Sequence, residues 1–256
     1  MTQRIPLIAG NWKMHGDRAR ARALLDALKP LSPAQGEVAV CVPYPYLELA
    51  QAVLGGSAVA WGAQNVAEWE EGAHTGEVAA SMLAEFGCGY VIVGHSERRR
   101  EASEDDACIA RKLAQAIRLD IKPILCIGET LAQRQAGSTH AVLQAQLHGA
   151  LALLDSTALT RLSIAYEPVW AIGQGQAATP AMVGDVITAL RAMFGEAGAS
   201  VRLLYGGSVS AANCGDFAAL AGLDGLLVGG ASLRGDEFTA ICQRFCTRRE
   251  GRSLPA

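Results

Sequence analysis

The sequence lacks an apolar stretch long enough to cross a membrane, although half of its 256 residues are hydrophobic. A spanning helix needs about 20 consecutive apolar residues, and the apolar runs in this chain are much shorter. The first residues, MTQRIPLIAGNWK, turn polar after a few apolar positions and do not predict a secretion signal. We therefore expect a protein with no membrane partner, located in the cytoplasm.

Cysteine is present, but never in the spacing of a metal or redox motif. The chain has seven scattered cysteines and no CxxC pair. An odd, unpatterned set is typical of reduced, mostly buried thiols in a reducing compartment. Cys242 and Cys246 could share a helix face, but without further histidine or cysteine partners nearby they do not predict a zinc site. We expect no bound metal.

An excess of positive charge is also lacking. The formal net charge is −3, which argues against nucleic acid as a partner. The overall field would weakly repel an anionic substrate, so local groups must attract it. No Ser/Pro-rich linker divides the chain, and its length fits one large α/β domain. We expect a single domain over residues 1–256.

Short apolar runs alternate with longer helical patterns along the chain. Parallel strands that are buried on both faces give nearly continuous apolar runs of this kind. Eight such strands, each followed by helical sequence, predict a (β/α)8 TIM barrel, with an open doubly wound sheet as the alternative. The predicted strands are Ile5–Ala9, Val38–Val42, Val59–Ala63, Tyr90–Val93, Pro123–Ile127, Leu162–Tyr166, Arg202–Tyr205 and Gly225–Val228.

Helical spacing and helix-start signals appear between these strands. Two amphipathic series predict helices, and two capping signals predict helix starts: Ser103 before three acidic residues, and Thr179 before Pro180. The two series are Ala21, Leu24, Leu25, Leu28 and Ile109, Leu113, Ala116, Ile117.

Polar residues follow the ends of the predicted strands, where the chemistry of such barrels is located. They include carboxylates, an imidazole and an ammonium group, and each alone could be an ordinary solvated or structural residue. Their recurrence at the same end of successive strands favours one shared active site. In chain order they are Asn11, Lys13, Gln64, Asn65, His95, Glu97, Glu129 and Glu167.

Glycine-rich loops follow the last two predicted strands. Gly206, Gly207, Gly229 and Gly230 would let backbone N–H groups approach a ligand closely, and Ser208 adds a hydroxyl group. Helices that begin there would direct their N-termini at the same point, which favours an anion. The position after the seventh and eighth strands is a frequent phosphate site in barrels, so we expect phosphate binding.

The segment Pro168–Ala178 is interpreted as a mobile lid. Its far end contains two glycines and small residues, whereas Pro168 and Trp170 stiffen its near end. The order Gly-Gln-Gly-Gln-Ala-Ala from Gly173 onward loosely resembles a dinucleotide fingerprint, but no strand precedes it and no suitable acidic residue follows it. We expect no organic cofactor.

Five motifs in this order resemble the triosephosphate isomerase family from the first strand to the last helix. The resemblance implies proton transfer through an enediolate that interconverts dihydroxyacetone phosphate and glyceraldehyde 3-phosphate, in glycolysis and gluconeogenesis. Each motif is moderately specific, and all five in order are very specific. They are NWK at 11–13, GHSERR at 94–99, AYEPVWAIG at 165–173, YGGSV at 205–209 and LVGGASL at 227–233.

The resemblance also implies individual roles. Glu167 would be the base and His95 the electrophile, while Lys13 and Asn11 would contact the substrate and complete the catalytic set. Glu97 would support Lys13, and Cys126 is placed with Glu97 among the supporting residues. The implied substrate-binding residues are Asn11, Trp12, Lys13, Gly173, Ser208, Gly229 and Gly230, of which the last four would hold the phosphate.

The protonation of His95 can be predicted from the residues that follow it. Ser96-Glu97-Arg98-Arg99 predicts a short helical turn whose N–H groups point back at the ring and disfavour a second proton. A neutral ring is also the state known for this family. A carboxylate beside the ring would have the opposite effect, but the resemblance directs Glu97 toward Lys13.

The family forms homodimers, and the long polar segment Gln64–Glu77 would be the interface loop, with Thr75 near the partner's active site. Two departures from the family pattern are visible. His74 replaces the usual aromatic residue before Thr75, which puts the dimer strength in question. Gln174 and Gln176 replace the usual threonine and lysine of the lid, which affects the expected rate of lid opening.

Two rival functions make different demands on the sequence. A Schiff-base aldolase needs a lysine near the barrel centre, and of the four lysines, Lys13, Lys29, Lys112 and Lys122, only Lys13 is expected to face the site. A non-catalytic sugar-phosphate binder would be expected to have lost the base or the imidazole, and this chain has both.

Overall fold

The computed structural model of the protein describes residues 4–32, 36–172 and 178–250. Its eight parallel strands form a closed barrel, because the first strand pairs with both the second and the last. The predicted single-domain TIM barrel is therefore confirmed, and the open doubly wound sheet is excluded. The strands are β1 (Leu7–Asn11), β2 (Glu37–Val42), β3 (Val59–Ala63), β4 (Tyr90–Val93), β5 (Lys122–Ile127), β6 (Ser163–Tyr166), β7 (Arg202–Tyr205) and β8 (Gly225–Val228).

The position of β1 differs from the prediction by two residues. The strand begins at Leu7 because Pro6 has no N–H group to donate to a ladder, and Ile5 is 56% exposed. At its other end β1 extends to Asn11, which pairs with Cys41 of β2. The strand therefore carries the polar side chain of Asn11 directly into the carboxyl end of the barrel.

Helices occupy the segments between the strands, as the amphipathic patterns predict. The start of the eighth helix is confirmed, since Thr179 caps it and Pro180 is its first residue. The start at Ser103 is wrong: Asp105 accepts a hydrogen bond from the Cys108 amide at 2.7 Å and is the cap. The helices are α1 (Arg18–Leu28), α2 (Leu47–Leu54), α3 (Ala80–Glu85), α4 (Ser96–Glu101), α5 (Asp106–Arg118), α6 (Leu131–Gln135), α7 (Thr139–Ala150), α8 (Pro180–Phe194), α9 (Cys214–Ala218) and α10 (Gly235–Glu250).

The hydrophobic core has two layers, because alternate residues of a strand point to opposite faces. Leu7 and Ala9 of β1 point into the barrel, whereas Ile8 packs outward against the helices. The inner layer fills the barrel and supports the floor of the cavity at its carboxyl end. Its buried members are Leu7, Ala9, Ala39, Cys41, Tyr90, Ile92, Ile124, Cys126, Ala165, Leu204 and Leu227.

Two expectations from composition can be compared with the fold. All seven cysteines are free and six of them are buried, as expected from their scattered positions. Cys108 is the partly exposed one. Within the described ranges, none of the helices combines the length and the apolar character that a membrane span requires.

Candidate active site

A cavity of about 520 Å³ lies at the carboxyl end of the barrel, where the polar residues were predicted to meet. Strands β1, β4 and β6 end beside it: Asn11 is the last residue of β1, and His95 and Glu167 follow β4 and β6. Lys13 lies two residues after Asn11. The loops after β7 and β8 form the opposite wall. The cavity is lined by Asn11, Lys13, His95, Glu167, Ile172, Gly206, Gly207, Ser208, Val209, Ser210, Asn213, Leu227, Gly229 and Gly230.

Glu167 and His95 face each other across the floor of this cavity. The Glu167 Oε1 and His95 Nε2 atoms are 3.2 Å apart, and both side chains are almost completely buried. The other carboxylate oxygen of Glu167 accepts a hydrogen bond from the Ser96 amide at 3.2 Å. A carboxylate this well shielded from water, beside an imidazole, is a suitable arrangement for proton transfer.

Helix α4 fixes which nitrogen of His95 can accept a hydrogen bond. His95 is the N-cap of α4, and its Nδ1 accepts the Glu97 amide hydrogen at 3.2 Å. The predicted turn with an N–H group directed at the ring is therefore confirmed. A neutral ring that accepts at Nδ1 carries its proton on Nε2, the nitrogen that faces Glu167 and the cavity.

Lys13 is held in an uncommon backbone conformation by its neighbours. Its φ of 52° lies in the left-handed region, which costs a residue other than glycine about 1–3 kcal/mol unless the surroundings fix it. The Lys13 amide donates to Asn11 Oδ1 at 3.0 Å, and its carbonyl accepts from Gln64 Nε2 at 2.9 Å. Hydrogen bonds on both sides therefore hold the uncommon backbone conformation of Lys13, a residue that points into the cavity.

The side chain of Lys13 binds Glu97, as the resemblance implies. The Lys13 Nζ and Glu97 Oε1 atoms are 2.6 Å apart, whereas Glu97 Oε2 lies 3.6 Å from His95 Nδ1. Burial alone would raise the pKa of the Glu97 carboxyl group, but the hydrogen bond from Lys13 and the nearby positive groups hold this pKa below its ordinary value. Glu97 is thus ionised and keeps the Lys13 ammonium group in place.

The glycines after β7 make room for neighbouring side chains, as well as lining the cavity. A Cβ atom at Gly206 would lie 2.8 Å from Cγ of Glu167, so any larger residue would displace the carboxylate. By contrast, a Cβ atom at Gly230 would meet nothing within 4 Å. The helix after β7 begins only at Cys214, while a 3-10 turn, Gly230–Leu233, begins directly after β8.

The near end of the predicted lid is anchored by Glu129, which was expected among the strand-end residues of the site but does not line the cavity. Trp170 Nε1 donates to Glu129 Oε1 at 2.9 Å, and the Val169 amide donates to the Glu129 carbonyl at 3.1 Å. Arg134 pairs with the same carboxylate at 3.0 Å and lies over the Trp170 ring. The stiff near end predicted from Pro168 and Trp170 is therefore a hydrogen-bonded 3-10 turn.

Other predicted site residues lie in different surroundings. Trp12 is buried and does not line the cavity. Cys126 is buried on β5, where burial and the charge of Glu167 raise the pKa of its thiol well above the usual range. Ser208 lines the cavity, and its hydroxyl group donates to the Ala171 carbonyl at 2.9 Å. Gly173, with Gln174 and Gln176 of the lid, lies outside the described residues.

The resemblance implies that the loop of residues 64–77 is the interface loop, and its Thr75 is exposed in this single chain. His74 does not stand alone, because its ring stacks on Trp69 of the same loop with centroids 3.8 Å apart. A second cavity, of about 530 Å³, lies beside the first and shares Asn11, Lys13 and His95 with it. Tyr44, Gln64 and Arg98 also line this second cavity.

A buried polar cluster beside this second cavity was not predicted from the sequence. Lys112 Nζ is 2.6 Å from Glu104 and 2.8 Å from Asn65 Oδ1, and Arg98 pairs with the same Glu104 oxygen at 2.5 Å. The signal that could have revealed it is a charged residue on an apolar helix face. Lys112 lies on the α5 face that also carries Ile109, Leu113 and Ala116.

Comparison with known proteins agrees with the geometry of the cavity. The family model for triosephosphate isomerase matches residues 6–245. A triosephosphate isomerase of Thiobacillus denitrificans is 52% identical over 242 residues, which cover 93% of this chain and 97% of that protein. That of Cupriavidus pinatubonensis is 50% identical over 239 residues, which cover 92% and 97%.

The match spans all eight strands and both glycine loops, so it includes the complete cavity. It therefore excludes the aldolase and the non-catalytic binder as the family of this chain. The predicted reaction is that of the family, an isomerisation of a phosphorylated triose that interconverts dihydroxyacetone phosphate and glyceraldehyde 3-phosphate. From the barrel, the cavity and these relatives we conclude that the chain belongs to the triosephosphate isomerase family.

Proposed function

We propose that the isomerisation takes place in the cavity between Glu167 and the glycine loops, with Glu167 as the base. The observation that carries this assignment is the pair of Glu167 and His95, 3.2 Å apart and buried, with Lys13 in the same cavity. In this proposal the three side chains would supply a base, a hydrogen-bond donor and a cation around one small volume. The test is a coupled assay of glyceraldehyde 3-phosphate isomerisation with variants of these residues.

The reaction begins when Glu167 removes a proton from the carbon beside the substrate carbonyl. The electron pair of the broken C–H bond moves into the carbonyl group and gives an enediolate. Negative charge then grows on the oxygen, and donors placed in advance stabilise it, a contribution typically worth about 3–4 kcal/mol for one donor. His95 Nε2 and the Lys13 ammonium group are the donors we assign to this role, with Asn11 beside them.

The second half of the reaction returns the proton to the neighbouring carbon. His95 passes a proton between the two substrate oxygens, and protonated Glu167 donates to the other carbon, which regenerates the base. Each residue therefore ends the cycle in its starting state. No step in this scheme requires a metal or an organic cofactor.

The phosphate group is proposed to lie against the loops after β7 and β8. The backbone at Gly229 and Gly230 lines the cavity without a side chain in the way, and Ser208 provides a hydroxyl group. Gly173 and the rest of the lid would close over the phosphate and exclude water, so that the enediolate keeps its phosphate group. Trp12 and Cys126 would support the site from beneath.

The protonation state of His95 gives a direct spectroscopic test. We expect a neutral imidazole throughout the active pH range, because its Nδ1 accepts a hydrogen bond from the α4 amide of Glu97. Nitrogen-15 NMR of the labelled ring at about pH 6.5, near the value at which a free histidine titrates, should give the two separate resonances of one tautomer. A resonance typical of imidazolium would mean that Glu97, and not the end of α4, controls the ring.

We also propose that the protein is a homodimer in the cytoplasm and acts in glycolysis and gluconeogenesis. Seven free thiols fit a reducing compartment, and the net charge of −3 fits a protein without nucleic-acid partners. In the dimer the loop of residues 64–77 would enter the partner's second cavity, and Thr75 would approach Asn11 or Lys13 of that subunit.

Thr75→Arg tests the dimer. The larger side chain would overpack the contact, and overpacking costs about 1–3 kcal/mol, so association should weaken about 10- to 100-fold. Sedimentation and activity measured over a range of protein concentrations should show weakly active monomers. Thr188→Arg on α8, also exposed, is the matched control and should remain dimeric. A wild-type protein that is monomeric and fully active at micromolar concentration would overturn the proposal.

A further inference from the structure

Gln64 makes a set of contacts that the scheme above does not use. Its amide nitrogen donates to the Lys13 carbonyl at 2.9 Å and to the Cys41 carbonyl at 3.0 Å. A side-chain amide has two N–H groups, so both are engaged. The side chain thus joins the ends of three neighbouring strands, since Lys13 follows β1, Cys41 lies in β2 and Gln64 follows β3.

We propose that Gln64 is a positioning residue for Lys13 and acts on catalysis only through that lysine. This inference rests on the proposed role of Lys13 in stabilising the enediolate. The amide of Gln64 holds the Lys13 carbonyl, while Asn11 Oδ1 holds the Lys13 N–H group at 3.0 Å. Together they keep the lysine at a φ of 52°, a conformation that a free lysine rarely adopts.

The direction of the Lys13 side chain follows from this backbone conformation. If the carbonyl were released, the residue could relax toward negative φ and its Cβ atom would turn. The ammonium group would then leave the cavity or lose the 2.6 Å contact with Glu97. A displacement of about 1 Å at a catalytic group can cost about 100-fold in rate, so a small relaxation would be measurable.

Gln64 is itself placed by the next residue along the chain. Asn65 accepts a hydrogen bond from buried Lys112 at 2.8 Å, and Lys112 is fixed by Glu104 at 2.6 Å. The buried pair therefore anchors the start of the interface loop to α5. Since a buried charge without its partner is unfavourable, this anchor is rigid, and Gln64 can hold Lys13 against relaxation.

The contacts exclude a simpler reading in which Gln64 binds the substrate directly. It does not line the cavity that contains Glu167 and the glycine loops, and its two donors are already engaged by backbone carbonyls. It lines the second cavity, which the partner subunit's loop would enter in the proposed dimer. Dimer formation would then exclude water from the amide and strengthen its hold on Lys13.

The test is a double-mutant cycle with Gln64→Met and Lys13→Met, measured by coupled assay at saturating and limiting substrate. Gln64→Met keeps the length of the side chain and removes both donors. We expect kcat/KM to fall about tenfold in the wild-type background, mainly through kcat. In the Lys13→Met background the same change should have less than about a twofold effect, because the lysine it positions is gone.

Two further variants separate positioning from loss of stability. Gln115→Met is the matched control, because Gln115 also donates to a backbone carbonyl of the loop, that of Glu68, away from Lys13. It should keep normal kcat/KM. Gln64→Glu keeps the shape and can donate one hydrogen bond only when its carboxyl group is protonated, so its activity relative to wild type should rise as the pH is lowered.

The outcomes distinguish this inference from the proposed function. An equal loss in both backgrounds, or no loss in either, would overturn the role of Gln64 while leaving Lys13 as assigned. The same holds if Gln64→Met does not fold and Gln64→Glu shows the wild-type pH profile. If Lys13→Met alone left kcat/KM unchanged, the proposed role of Lys13 would fail, and the role of Gln64 with it.

Discussion

Replacing Glu167 by aspartate is expected to lower turnover at least about 100-fold, with little change in KM. The substitution retracts the carboxylate by one methylene group, away from the carbon whose proton it removes. It also takes the oxygen away from His95, which now lies 3.2 Å from it. The proposed contacts to the phosphate are on the other side of the cavity and should persist, so binding should be retained.

A control must show that the loss of turnover comes from moving the Glu167 carboxylate and not from a general effect of replacing glutamate by aspartate. Glu85→Asp on α3 is a matched control, because Glu85 is exposed and is the last residue of that helix, just before β4 begins at the opposite end of the barrel. Both variants should unfold at the same temperature as the wild type. A Glu167→Asp protein with nearly normal turnover would contradict the assignment of Glu167 as the base.

Lys13→Met is expected to reduce kcat about 100- to 1000-fold and to raise KM as well. The first effect is typical of the loss of one donor to a developing oxyanion. The second follows because, of the chain's four lysines, Lys13 alone lines the cavity of a protein with net negative charge. Added salt should not restore either constant, since the lost contact is short-range.

The control for Lys13→Met is Lys29→Met, which makes the same change in net charge at an exposed helix end. It should have nearly normal kinetics. If Lys13→Met raised only KM, the lysine would bind ground state and transition state equally well, and it would have no special role in the chemical step.

The fold could be predicted from the sequence because each strand is buried on both faces. The bounds of β3, β4, β7 and β8 match the predicted runs, since an apolar run ends where burial ends. The position of β1 did not match, because Ile5 looks like a strand residue but precedes a proline and is largely exposed. Local propensity alone cannot show that the ladder starts two residues later.

The sequence predicted those residues of the candidate site that lie at the ends of strands. Position after a strand, together with the family resemblance, was enough to bring Glu167, His95 and Lys13 together. The roles of Glu129, Lys112 and Gln64 could not be predicted, because each depends on at least one partner more than 40 residues away. Such contacts are set by the packing of loops on the barrel, which no short motif encodes.

The central claim is that a carbon-bound proton is removed by a carboxylic base, and deuterium exchange tests it most directly. Dihydroxyacetone phosphate is incubated with the enzyme in D₂O through many turnovers, and the carbon-bound hydrogens are followed by proton NMR. Because the proton on Glu167 exchanges with solvent between cycles, we predict that one of the two hydrogens on the hydroxymethyl carbon of dihydroxyacetone phosphate is replaced by deuterium while isomerisation proceeds. Isomerisation without any deuterium entering the substrate carbons would show direct transfer of hydrogen and would contradict the account.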